Sequence, residues 1–401
     1  VVVFDEASQI PPADAVGSIV RANQVVVVGD SKQLPPTSFF GGEVEDFGEL
    51  QDQGLEELED LESILDEAKV SGLPSMRLKW HYRSQDESLI RFSNEEFYSD
   101  DPLYTFPSAS RDDHRRGLKF DYLEDATYSG GGVNDVEAKH VAEAVIRHIE
   151  NRPDATLGVG TFGRKQRERI LDELERLRRE NPSVEPFFNR DGEGKFFVKN
   201  LENIQGDDRD VIFVSVTYGP DEDGKVRRNF GPINKEGGWR RLNVLTTRAK
   251  QQVRVFSSMR GDDIDVQGIS EGAQLLRKYL KYAETGNYPS PNISLGETES
   301  PFARAVKRAI EKMGYDVVTQ VGEAGYRIDL GVVDPDFPGR YICGVECDGA
   351  SYHSADTVRD RDRIRQQVWE DRGWRIHRMW STDWFHDRRS VLDELESALE
   401  K

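Results

Sequence analysis

Asp5 and Glu6 stand side by side immediately after an apolar run, Val1–Phe4. One carboxylate of such a pair can hold Mg²⁺ while its neighbour orients and deprotonates a water. Nucleotide hydrolysis needs that division of labour. Gln33 follows a second apolar run, Val25–Val28, after Gly29-Asp30, and a neutral amide there can sense a γ-phosphate. A second set of carboxylates lies far along the chain: Asp329 in YRIDLGVV, and Glu346 and Asp348 in YICGVECDGASYH. Residues two apart on a strand share a face, so Glu346 and Asp348 can meet Asp329 at one end of a small sheet. Such a cluster can bind one or two Mg²⁺ or Mn²⁺ and activate a water against a phosphodiester. His353, a few residues beyond, is a candidate general base, general acid or further ligand.

Elements must hold these groups in place. Val1–Phe4 and Val25–Val28 are continuous β-branched runs, the pattern of strands buried on both faces of a parallel sheet. The stretch between them can cover one face as a helix. Asp5, Glu6 and Gln33 then fall at the carboxyl ends of the strands, where such sheets put their ligands. Met76, Leu78 and Trp80 alternate like a strand, and His81-Tyr82-Arg83-Ser84 opens a helix carrying Leu89, Ile90, Phe92 and Phe97. Arg83 is suited to bidentate phosphate contact. A helix over 135–149 places Val141, Ala144, Val145 and Ile149 on one face. Leu157–Phe162 and Val211–Val216 read as strands, and RRLNVLTTRAKQQVRVF as helix then strand with Arg241 and Arg248 on one helix face. Thr161, Arg164, Lys165 and Arg167 cluster at a strand-to-helix junction. Gln274–Ala283 is a helix, and 284–298 is a Pro/Ser/Gly/Asn-rich linker. The last hundred residues start a second unit. Ser300-Pro301 opens a helix with Phe302, Val306, Ala309, Ile310 and Met313 inward, Gly314 ends it, and three strands follow with PDFPGR as a turn. A later helix carries Arg359, Arg363 and Gln366, which can approach phosphates.

The chain has 401 residues, enough for two to four domains. No run approaches a membrane span and no signal peptide is recognisable. The cysteines Cys343 and Cys347 are four apart on one strand, too far to bridge, and a reducing cytoplasm is the expected compartment. The net charge is −20. Residues 41–68 carry twelve acids and no Lys or Arg, so the remainder is about −8, and a local basic groove for nucleic acid is compatible with it. Leu55, Leu58, Leu61, Ile64 and Leu65 recur at helical spacing in that acidic insertion.

DEASQ and GDSKQLPP resemble motifs II and III of superfamily 1 helicases, in the branch of the Upf-like and Dna2-like enzymes. HYRS resembles motif IV, ENIQGDDRDVI motif V, and LNVLTTRA motif VI, in the family order. The resemblance covers residues 1–260. It implies that Asp5 binds Mg²⁺, that Glu6 is the catalytic base and that Gln33 couples the γ-phosphate to movement, with Gln9 and Asp30 as weaker additions. It gives Arg83 a reach to the γ-phosphate and Tyr82 a place near the base. Gly206 lets backbone approach phosphate, and Glu202, Gln205 and Asp208 link nucleotide and nucleic acid. Asp208 stands where a Glu is common. Arg248 is the expected arginine finger. No GxxxxGK[ST] loop occurs in the chain. The resemblance therefore implies a C-terminal part of a larger protein, whose N-terminal part carries that loop, and no appreciable ATPase from this chain alone.

Residues 299–401 resemble PD-(D/E)XK nucleases of the Vsr-like subgroup, on the strength of Asp329, ECDGASYH and the later WRIHRMWSTDWF. There are two departures. Asp348 stands where the Lys of E-x-K is familiar, and Ala303 stands where relatives often carry a Glu. The expected architecture is α/β: a partial RecA-like P-loop NTPase domain over 1–79, a second RecA-like domain over 80–262, a helix and linker over 263–298, and a restriction-endonuclease-like domain over 299–401. The resemblance implies an ATP-dependent helicase or translocase, with ATP bridged by Arg83 and Arg248. The nuclease is tethered to it and takes Mg²⁺ or Mn²⁺. Single-stranded or forked DNA is the expected partner, and no membrane. Two alternatives stay open: a terminal domain that only binds DNA, and an NTP-dependent switch without unwinding.

Overall fold

The computed structural model describes residues 1–36, 63–110, 114–288, 300–322, 327–337, 339–348 and 366–399. The chain forms two compact units. Val1–Leu78 joins Leu118–Asn287, and Lys79–Gly117 joins Tyr288–Lys401.

In the first unit, Val2–Phe4 (β1) and Val25–Val27 (β2) pair in parallel, with Val2 opposite Val25 and Phe4 opposite Val27. The helix Pro12–Ile19 between them starts with Pro in its first turn, where the missing N–H costs nothing. The expectation that both strands are buried on both faces fails: Val3 is 62% exposed and Val26 45%. Among the described residues this sheet has only two strands. One face packs on Ala7, Ala15, Ile64 and Leu65, and the opposite side chains meet solvent. The helix Ile64–Val70 supplies two of those residues. Ser63 and Asp66 form a reciprocal capping box at its start. Leu55, Leu58 and Leu61 lie outside the described residues.

The main sheet of this unit contains Gly117–Tyr122 (β3), Leu157–Thr161 (β4), Phe197–Asn200 (β5), Arg209–Ser215 (β6) and Ala249–Ser257 (β7), in the order β3-β7-β6-β4-β5. β4 pairs in parallel with β5 and β6, and β6 with β7. The helices Asp135–Asn151 and Arg164–Glu180 bury Val141, Val145, Ile149, Ile170 and Leu174 against Leu157, Val159, Val211 and Phe213. Met76, Leu78 and Trp80 form no strand. Among the described residues the alternation has no partner strand, Met76 and Leu78 are exposed, and Trp80 forms an isolated bridge to Tyr104 rather than a ladder.

The second unit is built on Val317–Val321 (β8), Ile328–Val333 (β9), Tyr341–Asp348 (β10) and Ile376–Trp380 (β11), ordered β11-β10-β9-β8. β9–β10 is antiparallel, as the PDFPGR turn predicts, and so is β8–β9, while β10–β11 is parallel. Phe302, Val306 and Ile310 of the helix Pro301–Lys312 pack with Leu395 and Leu399 against Leu330, Val332, Val345 and Met379. A second cluster joins Trp369, Trp374, Tyr341 and Ile328 to Phe106, with Trp80 and Ala109 against it. The segment from Lys79 to Gly117 thus shares a core with the C-terminal residues, a grouping that differs from the motif blocks of the sequence. Backbone bonds reinforce it: Tyr341 N–H donates to Ala109 O (3.1 Å). Cys343 and Cys347 are free thiols. Among the described residues, no helix is long and apolar enough to cross a membrane.

Candidate nucleotide site and carboxylate cluster

The chain turns sharply after β1. Glu6 has φ +50°, a left-handed conformation rare for a side chain of this kind. Asp5 Oδ1 accepts the Glu6 N–H (2.9 Å), and Ala7 N–H donates to Val28 O beyond β2 (2.8 Å). Gly29 fits because the Ser8 and Ala7 nitrogens lie 2.9 and 3.1 Å from where a Cβ would stand. The turns after β1 and β2 therefore pack directly on one another. Asp30 orients the second turn, accepting Lys32 N–H (2.9 Å) and Gln33 Nε2 (3.2 Å).

Residues from the main sheet reach these turns. Gln205 Nε2 donates to Glu6 Oε2 (3.0 Å), and its Oε1 accepts Leu34 N–H (3.2 Å). Arg248, only 1% exposed, donates from Nε to Val244 O (2.9 Å) and from Nη2 to Gln33 Oε1 (3.4 Å). The structure thus brings Glu6, Gln33, Gln205 and Arg248 into one hydrogen-bonded web, with Asp5 beside it. Gly206 sits at φ +85°, which explains glycine there. Glu202 pairs with Arg241 (3.0 Å) and Asp208 with Lys250 (3.0 Å). Arg241 and Arg248 do not share a helix face as expected. The helix ends at Thr246, and Thr247 leaves the helical conformation, so Arg248 turns inward before β7. Two contributors were missed by sequence reasoning. Asn243 Nδ2 donates to Lys32 O (2.8 Å) and Arg240 Nε to Ser31 O (3.3 Å), clasping the turn that carries Gln33. Their place on the helix leading into Arg248 was the available signal.

Tyr82 and Arg83 belong to the second unit. Residues 81–87 are a turn, and the helix begins only at Ser88. His81 Nε2 bonds to Ser84 Oγ (2.9 Å) and accepts Ser84 N–H (3.1 Å), which closes the turn around Arg83. Tyr82 stacks on Phe106 at 6.1 Å yet is 54% exposed.

The carboxylates of β9 and β10 gather around Cys347. The antiparallel ladder runs to Val345 opposite Leu330. Beyond it Cys347 N–H donates to Asp329 Oδ2 (2.8 Å), while Gln320 Nε2 donates to Oδ1 (3.1 Å). Burial pushes the Cys347 thiol far above the usual range, and the charges of Asp329, Glu346 and Asp348 add to that push. Glu346 and Asp348 are both buried. Arg378, opposite Glu346 in the parallel register, pairs with Asp348 at 3.2 Å. Among the described residues, no three His, Cys, Asp or Glu are arranged to hold a metal ion. Asp329 is engaged by two donors and Asp348 by a guanidinium. His353, Arg359 and Arg363 lie outside the described residues. Gln366 bonds to Glu370 (2.8 Å).

A family model described as "AAA domain" matches residues 61–260, and one described as REase_MTES_1575 matches 302–399. An uncharacterized ATP-dependent helicase of Mycoplasma genitalium is 28% identical across 99% of the chain and 36% of its own length. Senataxin of Homo sapiens, named as a helicase, is 24% identical across 65% of the chain and 9% of its own length. The DNA replication ATP-dependent helicase/nuclease of Gallus gallus is 26% identical across 63% and 22%. The chain spans about a third of the length of the Mycoplasma relative. With the α/β fold, these matches make the chain similar to ATP-dependent helicases of the senataxin and Dna2 type, joined to a restriction-endonuclease-like domain over 302–399.

Proposed function

We propose that this chain is the motor and nuclease-bearing part of an ATP-driven DNA helicase or translocase. The observation that carries the motor reading is the web joining Glu6, Gln33, Gln205 and Arg248 across two sheets. A carboxylate base, a phosphate-sensing amide and a buried guanidinium face one another, the set that phosphoryl transfer requires. Asp5, exposed and beside the base, is the Mg²⁺ ligand. Mg²⁺ takes one or two carboxylates plus substrate phosphates, so no protein cage is needed. Tyr82, Arg83, Gly206 and Asp208 keep their nucleotide-facing roles as part of this reading. The phosphate-binding loop comes from outside the chain. The 401 residues alone hydrolyse no ATP, and a Glu6-dependent turnover by them would overturn this. In a protein that includes the loop, Glu6→Gln lowers kcat by about 10²–10⁴ and leaves nucleotide binding intact.

The terminal domain cleaves DNA through Asp329, Glu346, Asp348 and His353 in this reading. A specific observation favours a second one. The Arg378–Asp348 pair and Ala303 fit a domain that binds DNA without cutting it. Incubation of the chain with single-stranded, duplex and forked DNA in Mg²⁺ or Mn²⁺, beside Asp329→Ala, separates them. Cleavage lost in the variant supports the nuclease. Binding without cleavage supports the second reading.

A further inference from the structure

The helix at 366–371 ends in a left-handed turn, with Gly373 at φ +85° and Trp374 N–H donating to Trp369 O (3.0 Å). That turn aims two side chains the same way. Arg372, 7% exposed, donates from Nη2 to Tyr82 O (3.2 Å) and His81 O (3.4 Å), and from Nη1 to Phe106 O (3.3 Å). Its guanidinium also lies over the Phe106 ring at 5.3 Å. Trp374 Nε1 donates to Pro107 O (2.9 Å). A planar fork spread over three backbone carbonyls fixes the chain direction at each one, which a point-charge ammonium does poorly. Arg83 is the next residue after two of the clamped peptides.

We infer that Arg372 of the nuclease-like domain is a positioning residue for the HYRS turn of the motor, holding the backbone from which Arg83 acts. The inference rests on the nucleotide-facing role proposed above for Arg83. The nuclease-like domain is then no passive cargo on a linker. Its folded state sets the geometry of a motor turn, and by reciprocity the nucleotide state biases the nuclease-like domain.

The test compares wild type, Arg372→Ala, Arg372→Lys, Trp374→Phe and Arg83→Ala in the natural full-length protein. Amide hydrogen exchange is read over 79–110 and over β9–β10, and ATPase is resolved into kcat and KM. The expected result is faster exchange at 81–87 in Arg372→Ala, with β9–β10 protection retained. Its kcat falls at least tenfold while KM changes less than threefold. Adding Arg83→Ala to it causes no further loss, and Arg372→Lys restores little. Wild-type kcat in an Arg372→Ala protein with faster exchange at 81–87 overturns the inference and leaves the motor reading standing. Wild-type turnover in Arg83→Ala sinks the reading and the inference together. If Arg372→Ala also loses β9–β10 protection, Trp374→Phe decides, since it removes one hydrogen bond and keeps an aromatic side chain in the cluster. A kcat loss there supports the inference, and none refutes it.

Discussion

Glu137 is a carboxylate in the main sheet's core that the nucleotide web does not use. It is fully buried in the first turn of the helix Asp135–Asn151. Its Oε1 accepts Ser215 Oγ–H (2.5 Å) and Thr217 N–H (2.7 Å), and Thr217, the second residue past β6, sits at φ +71°. Asn134, Gln166 and Ser258 complete a polar network beneath this turn. Burial pushes the Glu137 carboxyl up to about 8, against the opposing pull of its two hydrogen bonds. The folded-state value therefore lies above the unfolded one, the reverse of a salt-bridged acid. Between the two values the folded chain holds a proton that the unfolded chain has released. The stability is fully present below about pH 4.5 and is lost as pH rises through about 8. Across that window it falls by about 1.4 kcal/mol per pH unit. Glu137→Gln keeps the shape without the titration, so denaturant midpoints taken from pH 5 to pH 8.5 will fall less steeply in the variant. A variant slope equal to wild type would disprove this assignment.

At the scale of elements, β4 shows how packing serves the site. Gly160 leaves room for Leu245 Cδ1, which would stand 2.4 Å from an added Cβ, and for Ile204 Cδ1 at 3.2 Å. Leu245 precedes Arg248 by three residues and Ile204 adjoins Gln205, and both are fully buried. Gly160→Ala therefore overpacks the contact under two members of the web. It is expected to cost about 1–3 kcal/mol in chemical denaturation, and to lower ATP turnover in the loop-bearing protein more than ATP affinity. Wild-type stability and turnover would show that Leu245 yields without moving its helix. The elements themselves were largely legible. Val141, Val145 and Ile149 at helical spacing, and the apolar run of β6, state their own burial. Glu6, Gln33, Gln205 and Arg248, from distant stretches, meet in one hydrogen-bonded web, while Tyr82 and Arg83 fall in the second unit. The alternation at Met76, Leu78 and Trp80 misled, because a strand needs a partner as well as a pattern. The inward turn of Arg248 was hidden as well, since helix ends depend on local backbone conformation rather than on spacing.

Across the whole molecule, the chain does not visit its two units in simple succession. It leaves the first unit after Leu78, returns at Leu118 and leaves again after Asn287. No periodicity could announce this, because the grouping arises from tertiary contacts. Phe106, with no exposed surface, is surrounded by Trp80, Tyr82 and the aromatic cluster of Trp369, Trp374 and Tyr341. It is separated from Trp369 by more than half the chain, so a residue outside the 302–399 match stabilises the nuclease-like domain. Phe106→Ala leaves a cavity where the ring was and also removes the surface beneath the Arg372 guanidinium. A loss of about 3–5 kcal/mol is expected for such a truncation. It should appear in the unfolding of the second unit, read by hydrogen exchange of β9 and β10, while β4 and β6 of the first unit keep their protection. Equal loss in both sheets would mean that the two units unfold as one. No loss in β9 and β10 would mean that the nuclease-like core is complete without the 79–110 segment, and that the shared aromatic cluster contributes nothing to its stability.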